Sequence, residues 1–188
     1  MDNVEWFDVV NTLDLEIGKE RRDVVHARKL FHRAVHVLIL DATDRILVQK
    51  RSLAKDSAPG LWCSSCSGHL DAGEGYLPAA LRELDEEVGL KISPENLAQI
   101  LSVSPCMETG WEFCRVFFLR NDGPYAFEPS EITELRSLAL HELDDWVSSA
   151  PDEFSASFLH LFRMARLSKP LKLDSVDRHS PLHLGASQ

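Results

Sequence analysis

Three glutamates, Glu83, Glu86 and Glu87, stand at i, i+3 and i+4 in the run Leu81-Arg-Glu-Leu-Asp-Glu-Glu-Val88. On a helix these spacings put all three carboxylates on one face, a turn apart. Like charges so close repel, and Arg82 is the cation beside them. A hard divalent cation resolves the repulsion: carboxylate oxygens suit Mg²⁺ or Mn²⁺, and Mg²⁺ shares a few protein carboxylates with substrate phosphate oxygens. The cluster therefore points to metal-assisted phosphate chemistry. A solvated acidic helix face has the same spacing, so the surrounding residues must decide between the two.

Those residues are specific. The segment from Gly68 to Leu90 resembles the Nudix box, G-x5-E-x7-R-E-U-x-E-E-x-G-U with U aliphatic, through Gly68, Glu74, Arg82, Glu83, Leu84, Glu86, Glu87, Gly89 and Leu90. Every specified position agrees, far beyond what ordinary residue frequencies produce by chance. The resemblance implies a Nudix α/β/α sandwich with a mixed β-sheet, and hydrolysis of a nucleoside diphosphate linked to another moiety or of a related diphosphate. Glu83, Glu86 and Glu87 would be metal ligands, joined by the Gly68 carbonyl. Glu74 and Arg82 would form an ion pair pinning the loop to the helix, and Gly89 would end the helix in a left-handed conformation. A water attacking phosphorus needs a proton acceptor. Glu83 and Glu87 are candidates, as are Glu108, Glu112, Glu131 and Glu134 outside the box.

A second resemblance covers about Leu30 to Leu119. Leu30-Phe-His32-Arg-Ala, Arg45-Ile-Leu-Val-Gln-Lys-Arg-Ser-Leu-Ala-Lys55, Pro59-Gly-Leu-Trp62, Ser67-Gly-His69 and Glu112-Phe-Cys-Arg-Val-Phe117 are similar to isopentenyl diphosphate isomerase, a Nudix-fold enzyme that moves a double bond. That family binds a metal through three histidines and two glutamates and uses a Cys with a Glu as acid and base. His32 and His69 match two of the histidines, His26 falls near the third, and Glu112 matches the catalytic Glu. Ser67 stands where the isomerase has its Cys, and Cys66, one residue away in a strand, should face the other side. Gly110 stands where the second metal-binding Glu would be. The hydrolase box, degraded in the isomerases, is complete here. The chain is thus identified with the hydrolases of the isomerase-like branch, with isomerase activity or a catalytically silent nucleotide-binding domain as the alternatives.

Elements must bring these groups together. Val4–Val10 and Leu13–Ile17 predict an N-terminal β-hairpin turning at Asn11 and Thr12, followed by a short charged helix within Lys19–Lys29. Ala34–Leu40 and Arg45–Gln49 predict a second hairpin, and Leu61–Ser67 one further strand. Pro78–Val88 reads as a helix with Pro78 in its first turn and Gly89 as its stop. Leu97–Val103, Phe113–Leu119 and Glu134–Leu140 predict strands, and His141–Ser148 and Glu153–Leu167 helices. Strands that arrive in hairpins instead of strict βαβ alternation give an α+β class with a mixed sheet. The division expected is an N-terminal extension packed on the domain (1–29), a Nudix domain (30–167) and a loose Ser-, Pro-, His- and Lys-containing tail (168–188).

The 188 residues carry 20 Lys+Arg against 30 Asp+Glu, a formal charge of −10, which disfavours nucleic acid and acidic lipid as partners. A phosphorylated substrate then needs a metal or a local cationic patch, and Lys50, Arg51 and Lys55 form the nearest one. No run is apolar enough to span a membrane and the start lacks a signal-peptide layout, so a cytoplasmic location is expected. The partner implied is a small diphosphate or nucleotide; a homodimer is compatible with the sequence. Cys63, Cys66, Cys106 and Cys114 are expected as reduced thiols, since Cys63-x-x-Cys66 lacks a matching second pair for a four-thiolate zinc site. Trp62 and Trp111 are candidates to stack on a base or to sit in the core.

Overall fold

The computed structural model describes residues 4–167; the expected tail, 168–188, lies outside the described residues. The N-terminal hairpin forms from β1 (Trp6–Val10) and β2 (Glu16–Arg21), antiparallel. Asn11 closes the turn, its Oδ1 accepting from the Leu13 and Leu15 amides. The second strand begins later than the Leu13–Ile17 alternation predicts and runs directly into α1 (Arg22–Arg28).

The main sheet has seven strands: β3 (His32–Leu40), β4 (Arg45–Arg51), β5 (Trp62–Cys63), β6 (Cys66–His69), β7 (Ala98–Val103), β8 (Glu112–Arg120) and β9 (Ile132–Ala139). It is mixed, as expected: β3 and β8 run parallel, while the other pairings are antiparallel. Period-two alternation makes both faces of β3 apolar. Ala34, Leu38 and Leu40 enter one core with α3 (Leu140–Ser149) and α4 (Ala156–Leu167), whereas Val35, Val37 and Ile39 enter the other with α2 (Tyr76–Val88). Helices thus cover both faces, giving the α+β sandwich with its N-terminal hairpin. No helix among the described residues is long and apolar enough to cross a membrane.

Two expectations need correction. Leu61–Ser67 is not one strand: Ser64 and Ser65 interrupt it, both buried. The Ser65 hydroxyl accepts from the Ile39 amide and donates to the Leu47 carbonyl, so a side chain takes the ladder position between β3 and β4. The predicted 34–49 hairpin consequently pairs only at its tip, Leu40 with Ile46, before its strands splay to admit β5 and β6. α2 also starts earlier than predicted, at Tyr76; Pro78 still falls in the first turn, where amides lack helical partners.

The splay determines what faces what. Ser67 pairs with His36, His69 with Ala34, and His32 with Glu112, placing Ser67, His69, His36, His32 and Glu112 on one face at the mouth of the sheet. Cys66 points the other way, fully buried in the α2 core. The N-terminal hairpin closes over this end. Val10 N–H donates to Phe31 O at 2.9 Å, Ala72 N–H to Trp6 O at 2.8 Å, and Arg33 pairs with Asp14 at 2.7 Å.

Candidate active site

The box loop is held by one guanidinium. Arg82 donates to both Glu74 oxygens (3.1 and 2.8 Å), to the His69 carbonyl (2.9 Å), to Glu83 Oε1 (2.7 Å) and to Glu86 Oε2 (3.0 Å). The Glu74 hydrogen bonds, with the neighbouring carboxylates, hold Arg82 firmly protonated, above the ordinary arginine value. Glu74 also accepts from the Asp71 amide at 3.0 Å, closing the loop on itself. At its far end α2 stops at Gly89, φ 70°, whose amide bonds back to Asp85 O while that of Leu90 bonds to Leu84 O.

The three box glutamates differ in environment. Glu86 is exposed; Glu87 is buried, and its Oε2 accepts from Gln49 Nε2 (3.1 Å) and the Ser67 amide (3.0 Å). Burial pushes the Glu87 carboxyl up despite those donors. Burial, followed by the charge of Glu87, lifts Glu83 to about 7. The conflict of like charges expected from the spacing is therefore real, and Arg82 offsets it only in part. Gly68 leaves room for the Glu83 carboxyl: a Cβ there would meet its carbon at 2.1 Å and displace it. Gln49 is a participant the sequence did not mark, because the assignment of a strand amide to a carboxylate on a distant helix has no local signature. Its Oε1 is buried without a partner.

A second group of polar side chains faces the same cavity, which has a volume of about 460 Å³ and is lined by both Glu83 and His69. His69 Nε2 donates to Glu112 Oε1 at 3.0 Å, and His32 Nε2 lies 3.5 Å from the same oxygen. His26, carried in by α1, joins them, with its nitrogen and those of His32 and His69 all within 4.8 Å of one another. Phe7 of β1 stacks on His69 at 4.7 Å and closes the cluster. His32 Nδ1–H donates to Leu30 O at 2.9 Å, which turns Nε2 inward. That Nε2 and His26 Nε2 are buried without hydrogen-bond partners. Burial, then the charges of His69 and His32, lowers His26 to about 4. Although burial opposes it, the imidazoles of His32 and His69 beside it keep Glu112 ionised, well below the usual carboxylate range. Two orphaned imidazole nitrogens beside an ionised carboxylate fit a transition-metal cation.

The cationic patch is only partly as expected. Arg51 and Lys55 line the cavity, Arg51 donating to Ser57 O at 2.9 Å and Lys55 pairing with Glu131. Lys50 does not: strand alternation sends it to the other side, its Nζ 5.8 Å from the Trp62 ring centroid. Arg22 of α1, which nothing in the sequence distinguished, lines the cavity instead, held by Glu5 and Asp56, with its Nε buried and unpartnered. Of the other base candidates, Glu131 lines the cavity, while Glu134 bonds Arg136 and Glu108 is exposed on the β7–β8 turn. Trp62 is core, against Trp146, and Trp111 packs beside Phe31. The four cysteines are free.

Known proteins carry the same architecture. The NUDIX domain family model matches residues 30–162, so the chain belongs to the Nudix family. It is 32% identical over 161 residues to an uncharacterized Nudix hydrolase of Yersinia pestis, spanning 83% of this chain and 82% of that protein. It is 30% identical over 161 residues to an isopentenyl-diphosphate Delta-isomerase of Serratia proteamaculans, spanning 85% of this chain and 90% of that one. Among solved structures, DR0079 from Deinococcus radiodurans superimposes with a TM-score of 0.74 at 25% identity, covering 88% of this chain and 99% of that one. The protein is accordingly a hydrolase of phosphoric anhydrides of the isomerase-like Nudix branch, a class that requires a divalent metal.

Glu74→Gln leaves the Arg82 guanidinium with a neutral partner in a part-buried site. It is expected to lower the melting temperature by several degrees and reduce turnover together, read by calorimetry and by phosphate release. Lost activity at an unchanged melting temperature would mean that Glu74 meets the substrate instead.

Proposed function

We propose that the protein is a Mg²⁺- or Mn²⁺-dependent pyrophosphohydrolase of a small diphosphate or nucleotide. The observation that carries this is the complete carboxylate set, Glu83 and Glu86 held by Arg82 and Glu87 held by Gln49 and the Ser67 amide, beside Gly68 at the cavity that Arg51, Lys55 and Arg22 also line. A divalent cation bound there would supply charge neutralisation on the phosphate oxygens and acidify an attacking water. Arg22, Arg51 and Lys55 hold the terminal phosphate. Glu83, which lines the cavity, is a carboxyl placed to take the water proton as the new P–O bond forms and the bridging P–O bond breaks, with Glu87, Glu112 and Glu131 lining the same cavity. Glu87 is oriented by Gln49 and Ser67, and Glu74 with Arg82 serves the loop.

The imidazole cluster favours a second reading. His26, His32 and His69 with Glu112 fit a second metal site of the kind the isomerase resemblance implies, and the relatives include isomerases. Two residues weigh against double-bond migration. Ser67 presents a hydroxyl to the cavity where a thiol of pKa about 8.5 would be the better proton carrier. Gly110 also offers no carboxylate, although a Cβ there would sit 3.6 Å from Glu112 Oε1. The cluster is therefore one carboxylate short.

Nucleotides, dinucleotides, nucleotide sugars, coenzymes and isoprenoid diphosphates, assayed with Mg²⁺ and Mn²⁺, are expected to include one that releases a phosphorylated product. Glu86→Gln should cut kcat by at least about a hundredfold with the melting temperature held. No turnover across the panel would favour a silent binding domain. Apparent Mg²⁺ affinity should follow the ionisation of Glu83. With its pKa near about 7, the ionised fraction falls roughly tenfold from pH 8 to 6, so binding should weaken by about that factor, read by Mg²⁺ titration. Isopentenyl diphosphate in D₂O should take up no deuterium by NMR; uptake would make isomerisation the primary activity.

A further inference from the structure

Away from the cavity, the turn between β7 and β8 brings together a different kind of donor set. Cys106 and Glu108 lie on that turn and His160 on α4. One ligand atom from each falls within 4.8 Å of the others, and Cys106 Sγ stands 3.8 Å from His160 Nε2. We propose that Cys106, Glu108 and His160 form a binding site for a thiophilic divalent cation, Zn²⁺ foremost, with water completing the coordination.

The chemistry separates this site from the box. A thiolate, an imidazole and a carboxylate form the mixed set that Zn²⁺ takes, while Mg²⁺ avoids sulfur and prefers oxygen alone. Donors roughly 2.0–2.3 Å from a tetrahedral ion stand roughly 3.3–3.8 Å apart, so the sulfur–nitrogen gap already matches the spacing an ion would impose. Binding transfers the Cys106 thiol proton to solvent and forms the metal–sulfur bond, with no change of oxidation state.

The donors are also held in place. Thr109 is buried beneath the turn: its Oγ1 accepts from the Cys106 amide at 3.1 Å and lies 3.1 Å from Cys106 O and 3.2 Å from Glu112 O. Trp111 N–H donates to Cys106 O at 2.9 Å, and Gly110 N–H to Met107 O at 3.1 Å. His160 rides on a helix whose Phe158, Leu161 and Phe162 are anchored in the core. Little entropy is therefore lost at Cys106 and His160 when an ion joins them, and Glu108 closes on it from the exposed side of the turn. Glu108 is exposed and Cys106 and His160 are half-buried, leaving an entry path and a modest desolvation cost, in contrast with the buried Cys63, Cys66 and Cys114. The turn runs straight into Glu112 at the start of β8, so the ion would tie α4 to the segment that carries that carboxylate into the cavity.

Co²⁺ added to the full chain tests the site, because thiolate-to-cobalt charge transfer in the near ultraviolet reports sulfur ligation and is blind to carboxylate and imidazole sites. The expected result is a saturable band that is bleached by Zn²⁺ and survives excess Mg²⁺. It should vanish in Cys106→Ser, require about tenfold or more Co²⁺ in His160→Gln and in Glu108→Gln, and persist in Cys114→Ser and Glu83→Gln. Zn²⁺ should raise the melting temperature of the parent chain more than that of Cys106→Ser. The proposal is overturned by no band, by a band that survives Cys106→Ser, by one lost in Cys114→Ser, which would put the sulfur ligand beside Glu112, or by unchanged affinity in both His160→Gln and Glu108→Gln, which would leave a lone thiol.

Discussion

The hydrogen-bonding fork of Arg82 is the contact on which the site depends. One guanidinium ties Glu74 of the loop, the His69 carbonyl at the end of β6, and Glu83 and Glu86 of the helix into one unit. A planar group with five donors can serve three elements at once in a way an ammonium cannot. Without it, the loop from Gly68 to Gly75 would have little to fix it against α2, and the carboxylates would face one another with no cation between them. The cost of that arrangement remains visible in Glu83 and Glu87, both held above the ordinary carboxylate range by burial. A cation bound among these carboxylates would relieve the repulsion between them.

Across the cavity the opposite condition holds. Glu112 stays ionised although buried, because imidazoles surround it, while His26 is held down to about 4 by burial and by the imidazoles beside it. Imidazole nitrogens around a fixed carboxylate form a set unlike the all-oxygen box, and His69 and Glu112 share one cavity with it. The N-terminal hairpin and α1 build one wall of it, contributing Glu5, Phe7 and Arg22, with His26 behind them against His32 and His69. The extension is therefore part of the site and not an appendage to it.

The relatives divide between hydrolase and isomerase names at nearly the same identity, so overall similarity does not separate the two activities. The proposal of hydrolysis rests instead on particular positions: at 67 this chain has a hydroxyl, a poorer proton carrier than a thiol, and at 110 a glycine, which has no side chain to ligate a metal.

The sequence alone determined the box and the class of fold. Gly68, Glu74, Arg82, Glu83, Glu86, Glu87 and Gly89 lie within the end of one strand, one loop and one helix, where chain spacing fixes direction through the helical period, so their arrangement is local and legible. It also gave the α2 stop, the facing of Ser67 against Cys66, and most strand positions, since these follow from periodicity. The tertiary structure decided what joins that local unit. Gln49 reaches Glu87 from another strand, Arg22 replaces Lys50 in the cavity, Ser64 and Ser65 break a predicted strand to splay a hairpin, and Cys106 meets His160 across 54 positions. These contacts depend on strand register and on how the N-terminal hairpin docks, both fixed by packing between distant segments that no window of sequence contains.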